Sequence, residues 1–237
     1  KLILLDIDAL SLESVKNELA ANNVSVSTYV CDLSDREKIY ETTRQIDYVD
    51  ILINNAGVVT GKYFLDSPDE LIEKTFQVNS MAHFWLVKSF LPGMLERNSG
   101  HIVTIASAGG LAATPRMADY CSSKFAAIGF DESLRLEMRK NDSNIKTTLV
   151  CPYFINTGMF EGAKTRFNFL LPILKPEYVV RRIVKAVAKG KQRLIIPRFV
   201  YSIFPLRLLS VPAQDAIFSF LGVNNSMDDF VGRTIKT

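Results

Sequence analysis

Short apolar runs alternate along this chain with stretches whose apolar positions recur at helical spacing. Residues 2–5 form a brief apolar run, and residues 11–20 read as a helix. Residues 24–30 alternate as a strand. Ser34 with Glu37 makes an S-x-x-E capping box, which predicts a helix starting there. Residues 49–53 form the next buried strand, and residues 68–96 a long helical stretch with Pro92 near its end. A strand over residues 101–105, a helix over 118–139, a strand over 146–150, a helix over 176–188 and a strand over 193–196 complete the series. Such alternation predicts an α/β fold, a doubly wound parallel sheet of the Rossmann type with right-handed crossovers. No internal repeat interrupts it.

The pattern changes after Pro197. The catalytic and dinucleotide-binding unit is therefore assigned to residues 1–197, and an apolar extension to residues 198–237. The extension is dense in Phe, Leu and Ile, as is the earlier stretch 167–174. Such segments dock on the protein, line a greasy substrate site, or dip into a membrane surface. All three readings stay open at this stage.

With 237 residues the chain is long enough for one α/β domain with a sizeable core. A net charge of +3 without a dense basic run does not suggest nucleic-acid binding. Three widely spaced cysteines form neither a disulfide framework nor a metal pattern, so no metal site is expected and a reducing surrounding is. No apolar run reaches the roughly eighteen residues of a spanning helix. The chain opens at Lys1 directly on a core strand, whereas termini usually lie at the surface. A missing natural start is the expectation.

The chemistry concentrates in Ser107, Tyr120 and Lys124. Tyr120 and Lys124 are four apart on the predicted helix and share one face. A phenol titrates near pH 10, and a neighbouring ammonium is expected to lower that value, so that the tyrosine can pass a proton to or from a substrate oxygen. Ser107 follows a strand, at the sheet end where open α/β folds place ligands. Y-x-x-x-K alone is as well explained by an exposed helix pair. Asn54-Asn55-Ala56-Gly57 follows another strand, where small residues admit a ligand or simply make a turn. Asp6 ends the first strand of the chain; an acid at the end of a second Rossmann strand binds ribose hydroxyls and repels a 2′-phosphate, but one here also fits the N-terminal end of a helix. Asp32 in Cys31-Asp32-Leu33 serves as readily as a helix cap.

Together these motifs resemble the short-chain dehydrogenase/reductase family over essentially the whole chain. The resemblance rests on Asn54 to Gly57, Val78-Asn79, Ser107, Tyr120 with Lys124, and Cys151-Pro152 followed by Thr157. It implies Asn79, Ser107, Tyr120 and Lys124 as catalytic residues. It implies NAD, rather than NADP, held by Asp6, Asp32, Leu33, Asn54, Ala56, Tyr120, Lys124, Pro152, Ile155 and Thr157. In the family, an asparagine at the place of Asn79 kinks its helix and helps a proton relay.

Residues 64–71, 82–85, 100–104 and 156–162 are similar in particular to the membrane-associated branch of retinol and 17-beta-hydroxysteroid dehydrogenases. That implies a lipophilic alcohol or carbonyl as substrate, the cytosolic face of the endoplasmic reticulum membrane or of a lipid droplet as location, and a homodimer as the family's usual assembly. His83 and Trp85 are read as packing residues. Three features depart from the family. The glycine-rich phosphate turn T-G-x-x-x-G-x-G is absent together with the strand before it and the helix after it. Tyr153 follows Pro152 where glycine is usual. Residues 44–50 run short by about one helical turn. The competing reading is a non-catalytic lipid-surface protein on the same fold, against which the intact Ser107, Tyr120 and Lys124 speak.

Overall fold

The computed structural model describes residues 1–232. The last five residues of the apolar extension lie outside the described residues. Six strands and eight α-helices follow one another in the expected alternation. They are β1 (Leu2–Asp6), α1 (Ala9–Ala21), β2 (Val26–Val30), α2 (Arg36–Thr43), β3 (Ile51–Asn54), α3 (Asp69–Phe76), α4 (Ala82–Glu96), β4 (His101–Ile105), α5 (Ala118–Lys140), β5 (Lys146–Pro152), α6 (Pro176–Ala188), β6 (Arg193–Ile196), α7 (Ile203–Leu206) and α8 (Val211–Phe220).

Every strand pair is parallel. β3, β4, β5 and β6 pair in that order, while β1 pairs only with β2. β4 and β5 are buried along almost their whole length, as central parallel strands are. Ile102, Val103, Leu149 and Val150 are accordingly sealed from solvent. β3 is different. Ile51 and Ile53 are 49% and 52% exposed, far more than a central parallel strand allows. They face a groove that separates β3 from β1, lined from below by Ala82, His83, Leu86 and Phe90 of α4.

Two local expectations are corrected. The cap of α2 is Asp35, whose carboxylate accepts from the amides of Glu37 and Lys38. The Ser34 hydroxyl is turned the other way and donates to Asp32 Oδ1 at 2.6 Å. The stretch 68–96 is not one regular helix either. A π-helical segment, Gln77–Met81, joins α3 to α4 and carries Asn79. Such single-turn insertions recur at functional sites because they re-aim side chains within a helix.

The extension packs on the same body. Ile203 joins Leu149, Cys151 and Ile195 in one core cluster, with Val200 and Phe218 against it.

Candidate active site

The sheet end that carries the C-termini of β4 and β5 gathers the catalytic candidates. Ser107 lies just beyond β4. Its Oγ accepts from the Gly109 amide at 3.0 Å and stands beside the Tyr120 phenol. Gly109 permits the approach, since a Cβ there would lie 3.3 Å from the Tyr120 ring and 3.4 Å from Ser107 Oγ. Tyr120 and Lys124 project from one face of α5 toward that corner. Lys124 Nζ sits 5.8 Å from the centroid of the Tyr120 ring and donates to Ile105 O at 3.0 Å. Both side chains are almost wholly buried.

Burial sets their titration. It pushes the Tyr120 phenol up from its ordinary value, against the opposing hydrogen bond of Ser107. The expectation that Lys124 lowers the phenol is corrected at this point, because desolvation dominates both groups. The Lys124 ammonium is itself pushed down to about 8 by the same burial.

Asn79 is fully buried beneath the turn that follows β3. Its Oδ1 accepts from the Val58 amide at 2.8 Å, and its Nδ2 donates to Val58 O at 2.9 Å and Ser123 Oγ at 3.0 Å. Ser123 Oγ in turn donates to Tyr120 O at 2.7 Å. The π-helical segment thus fastens the 58 loop to the helix turn that bears Tyr120. Gly57 closes the arrangement, with Asn79 Oδ1 and Lys124 Nζ both within 3.5 Å of where its Cβ would be.

The remaining candidates lie along the same sheet end. Asp6 is exposed at the end of β1, where its Oδ1 accepts from the Asp8 amide. Asp32 follows β2. Burial raises its carboxyl, but the hydroxyl and amide of Ser34 outweigh that and hold it below the usual range. Leu33 leans into the core cluster under the sheet. Asn54 is buried at the end of β3, its side-chain oxygen and nitrogen both without a partner among the described residues, and Ala56 follows in the turn. Pro152 ends β5, Ile155 bridges to Leu174, and Thr157 follows in the loop. Asp6, Asn54 and Ala56 border the open groove, so they are brought together at one end of the site. Pro152, Ile155 and Thr157 line neither that groove nor the surroundings of Tyr120 that Tyr153 and Phe154 supply. His83 packs on the Phe130 ring, and burial pushes its imidazole down to about 3, so it is neutral. Trp85 packs against Tyr40 and Phe84.

A small apolar cavity, half open to solvent, lies beside Ser107. Its walls are apolar, with Met117 and Phe154 on the core side and Phe199, Ile203, Leu206 and Phe218 from the extension. The extension therefore lines the site, while Leu208, Val211 and Phe220 of the same segment face outward. Of the three readings left open for these segments, docking on the protein and lining a greasy site are both realised.

Sequence reasoning missed several neighbours. Asp119 is buried and accepts hydrogen bonds from Thr60 and from Thr75, which pins the first turn of α5. Phe160 meets the Tyr120 ring edge-on with centroids 5.5 Å apart. Tyr153, at the position where glycine was expected, lines the cavity. Only Asp119 had a local signal, its place immediately before the tyrosine.

The sequence pattern that defines the short chain dehydrogenases matches residues 1–166. The chain belongs to the short-chain dehydrogenase family. This short-chain dehydrogenase is 47% identical over 223 residues to epidermal retinol dehydrogenase 2 of Mus musculus, covering 92% of this chain and 72% of that protein. It is 44% identical over 237 residues to retinol dehydrogenase 10 of Homo sapiens, covering 95% and 70% respectively. Among solved structures, a short chain dehydrogenase/reductase from Burkholderia phymatum in complex with NAD superposes with a TM-score of 0.76 at 25% identity, over 88% of this chain and 84% of that one.

Proposed function

We propose that this short-chain dehydrogenase transfers a hydride between NAD(H) and a lipophilic alcohol or carbonyl of the retinol or hydroxysteroid type. The observation that carries the reading is the convergence of Ser107, Tyr120 and Lys124 at the mouth of an apolar cavity. The relatives named for retinol support the substrate class, and the neighbour solved with NAD supports the cofactor.

The residues present fit NAD at both of its ends. At the adenosine end, the unpartnered Asn54 amide, the exposed Asp6 carboxylate and the half-buried Asp32 carboxylate offer hydrogen-bonding capacity that the protein leaves unused or lightly used. Ala56 admits the ligand beside them. At the nicotinamide end, Pro152 closes β5 and Ile155 and Thr157 follow in the loop after it, at the sheet end that also carries Ser107. Lys124 spends one of its donors on Ile105 O and keeps the others for ribose hydroxyls. When bound, NAD supplies the carbon that takes or gives the hydride.

The chain does the rest. In the oxidising direction, Ser107 Oγ and the Tyr120 phenol oxygen hold the substrate oxygen between them. Tyr120 takes the hydroxyl proton as the C–H bond breaks, and it returns a proton to the carbonyl oxygen in reduction. Burial makes an isolated phenolate costly, so positive charge must stand beside it during the reaction. Lys124 provides part of that charge. Asn79 keeps the 58 loop and the Tyr120 turn in register. The apolar walls exclude water from the reacting carbon and select long hydrocarbon bodies over small alcohols.

We read residues 198–237 as an extension with two tasks, walling the cavity and resting on a lipid surface. Leu208, Leu209, Val211 and Phe220 are exposed in it, with Arg198 and Arg207 alongside. No helix among the described residues is long and apolar enough to cross a membrane. Peripheral attachment to the cytosolic face of the endoplasmic reticulum membrane or of a lipid droplet matches these features. Exposed Met81 at the end of the π-helical segment, Phe84 on α4 and Phe125 and Leu136 on α5 suit the homodimer expected of the family.

A substrate series tests the activity. Full-length protein with NAD should oxidise all-trans retinol or a hydroxysteroid at least tenfold more efficiently than 2-propanol. Equal efficiency, or no oxidation of any of them, would overturn the assignment.

A further inference from the structure

Residues 223–232 return from α8 across the face of the site that carries Tyr120. The Thr114 hydroxyl donates to Val223 O at 2.6 Å, and the Lys164 amide to Ser226 O at 2.8 Å. The amide of Val231 reaches Glu161 O at 2.9 Å. Met227 is sealed from solvent within a cluster of Met117, Tyr120, Cys121, Phe154 and Ala163. Phe230 lies over Gly61, where a Cβ would come within 2.0 Å of its ring.

One side chain grips this segment from the catalytic side. Arg116 Nη1 donates to Met227 O and to Asp228 O, both at 2.7 Å. Its backbone is held at φ +65°, a left-handed conformation that a non-glycine residue keeps only where its surroundings over-determine it. The guanidinium also stands over the Tyr63 ring at 5.4 Å. Arg116 is four residues before Tyr120, so a single short stretch holds both the grip and the proposed proton carrier. The other charged tie, Lys164 with Asp229, is exposed on both sides and holds little.

We propose that Arg116 is a positioning residue: by clamping the consecutive carbonyls of Met227 and Asp228, it keeps the 223–232 strap closed and Met227 seated against Tyr120. This rests on the role assigned to Tyr120. The strap excludes water beside the phenol and fixes the ring that takes the proton. Loss of the clamp therefore acts on turnover more than on the binding of a small substrate, which touches little of the strap.

The test uses the full-length protein and the variants Arg116→Ala, Arg116→Lys and Asp229→Ala. Amide hydrogen exchange at residues 226–232 reads the strap directly, and kcat and KM with 2-butanol and with all-trans retinol read the site. In Arg116→Ala, exchange should rise at least tenfold and kcat fall at least tenfold, with KM for 2-butanol changed less than threefold. Arg116→Lys, which keeps a cation for the carbonyls, should recover part of both. Asp229→Ala should leave both within twofold of wild type. Unchanged exchange in Arg116→Ala overturns the clamp, and faster exchange with unchanged kcat overturns the positioning role. If Arg116→Ala does not fold, Arg116→Lys alone decides, since it must lie between wild type and complete loss. A wild type that turns over no alcohol would bring down the activity assignment and the positioning role with it. A normal wild type beside indifferent variants would overturn the positioning role alone.

Discussion

Replacing Lys124 by methionine removes a charge from a wholly buried site, and the structure sets the sign and size of the consequence. Burial lowers the ammonium from its ordinary 10.5 to about 8. At about 1.4 kcal/mol per tenfold change in proton affinity, that gap means a cost of roughly 3 kcal/mol for holding the charge in the folded chain. Below pH 8 both folded and unfolded chains keep the proton, and the whole cost is present. Between 8 and 10.5 the folded chain has shed its proton while the unfolded chain still holds one. The unfolded state then binds more protons, and stability rises with pH. From about pH 7 to about pH 9.5, linkage relieves the wild type of about 2 kcal/mol, and the methionine variant gains nothing from this group. The lost hydrogen bond to Ile105 O costs the variant a pH-independent amount, about 1–3 kcal/mol. It cancels when the two pH values are compared. The measurement is thermal unfolding of both proteins at the two pH values. The midpoint of the variant relative to wild type should fall by about 4–8 °C between them, at about 2–4 °C per kcal/mol for a chain of this size. Parallel midpoints would mean that Lys124 is solvated, and the buried-ammonium description of the site would be wrong.

Asp6→Ser should lower the preference for NAD over NADP at least tenfold in full-length protein, because a carboxylate that repels the 2′-phosphate is gone; an unchanged ratio of catalytic efficiencies would show that Asp6 faces elsewhere. Ile195→Ala should cost roughly 2–5 kcal/mol in chemical denaturation, since Ile195 is sealed in the cluster joining the extension to β5, and a cost under about 1 kcal/mol would show that cluster to be loose. Leu208→Asp combined with Val211→Asp should abolish flotation of the full-length protein with phosphatidylcholine vesicles while leaving turnover of a short alcohol within twofold; flotation that persists would place lipid contact elsewhere.

Much of this was legible in the sequence where a single local signal decides the structure. β4 and β6 match their expected bounds because buried parallel strands are short apolar runs between polar turns, and α6 matches because its apolar stripe starts at a proline. The corner of Ser107, Tyr120 and Lys124 followed from helical spacing and strand-end placement. Its electrostatics did not, because spacing says which groups meet but not how much water they lose. The π-helical segment at Asn79 left no mark on the apolar stripe, which one extra residue barely disturbs, and only the family resemblance implied a kink there. The cap at Asp35 was mistaken for Ser34 because two candidate acceptors stand side by side, and only Asp32 decides between them. The apolar tail was ambiguous for a different reason. Density of Phe and Leu is the same whether a segment walls a cavity or faces outward, and this tail has residues in both positions. Arg116 had no local signal at all, since its partners lie more than a hundred residues later in the chain.

Tyr120→Phe tests the central claim most directly. The ring stays to pack against Phe160 and Met227, and only the proton-carrying oxygen is lost. Full-length wild type and variant should be compared for kcat with all-trans retinol and NAD, and for NAD affinity by fluorescence quenching. The account predicts a loss of turnover of at least about 100-fold, in the range of general acid–base catalysis, with NAD affinity within threefold of wild type. A variant that keeps more than about a tenth of the wild-type turnover would contradict it, because the proton would then be travelling by another route.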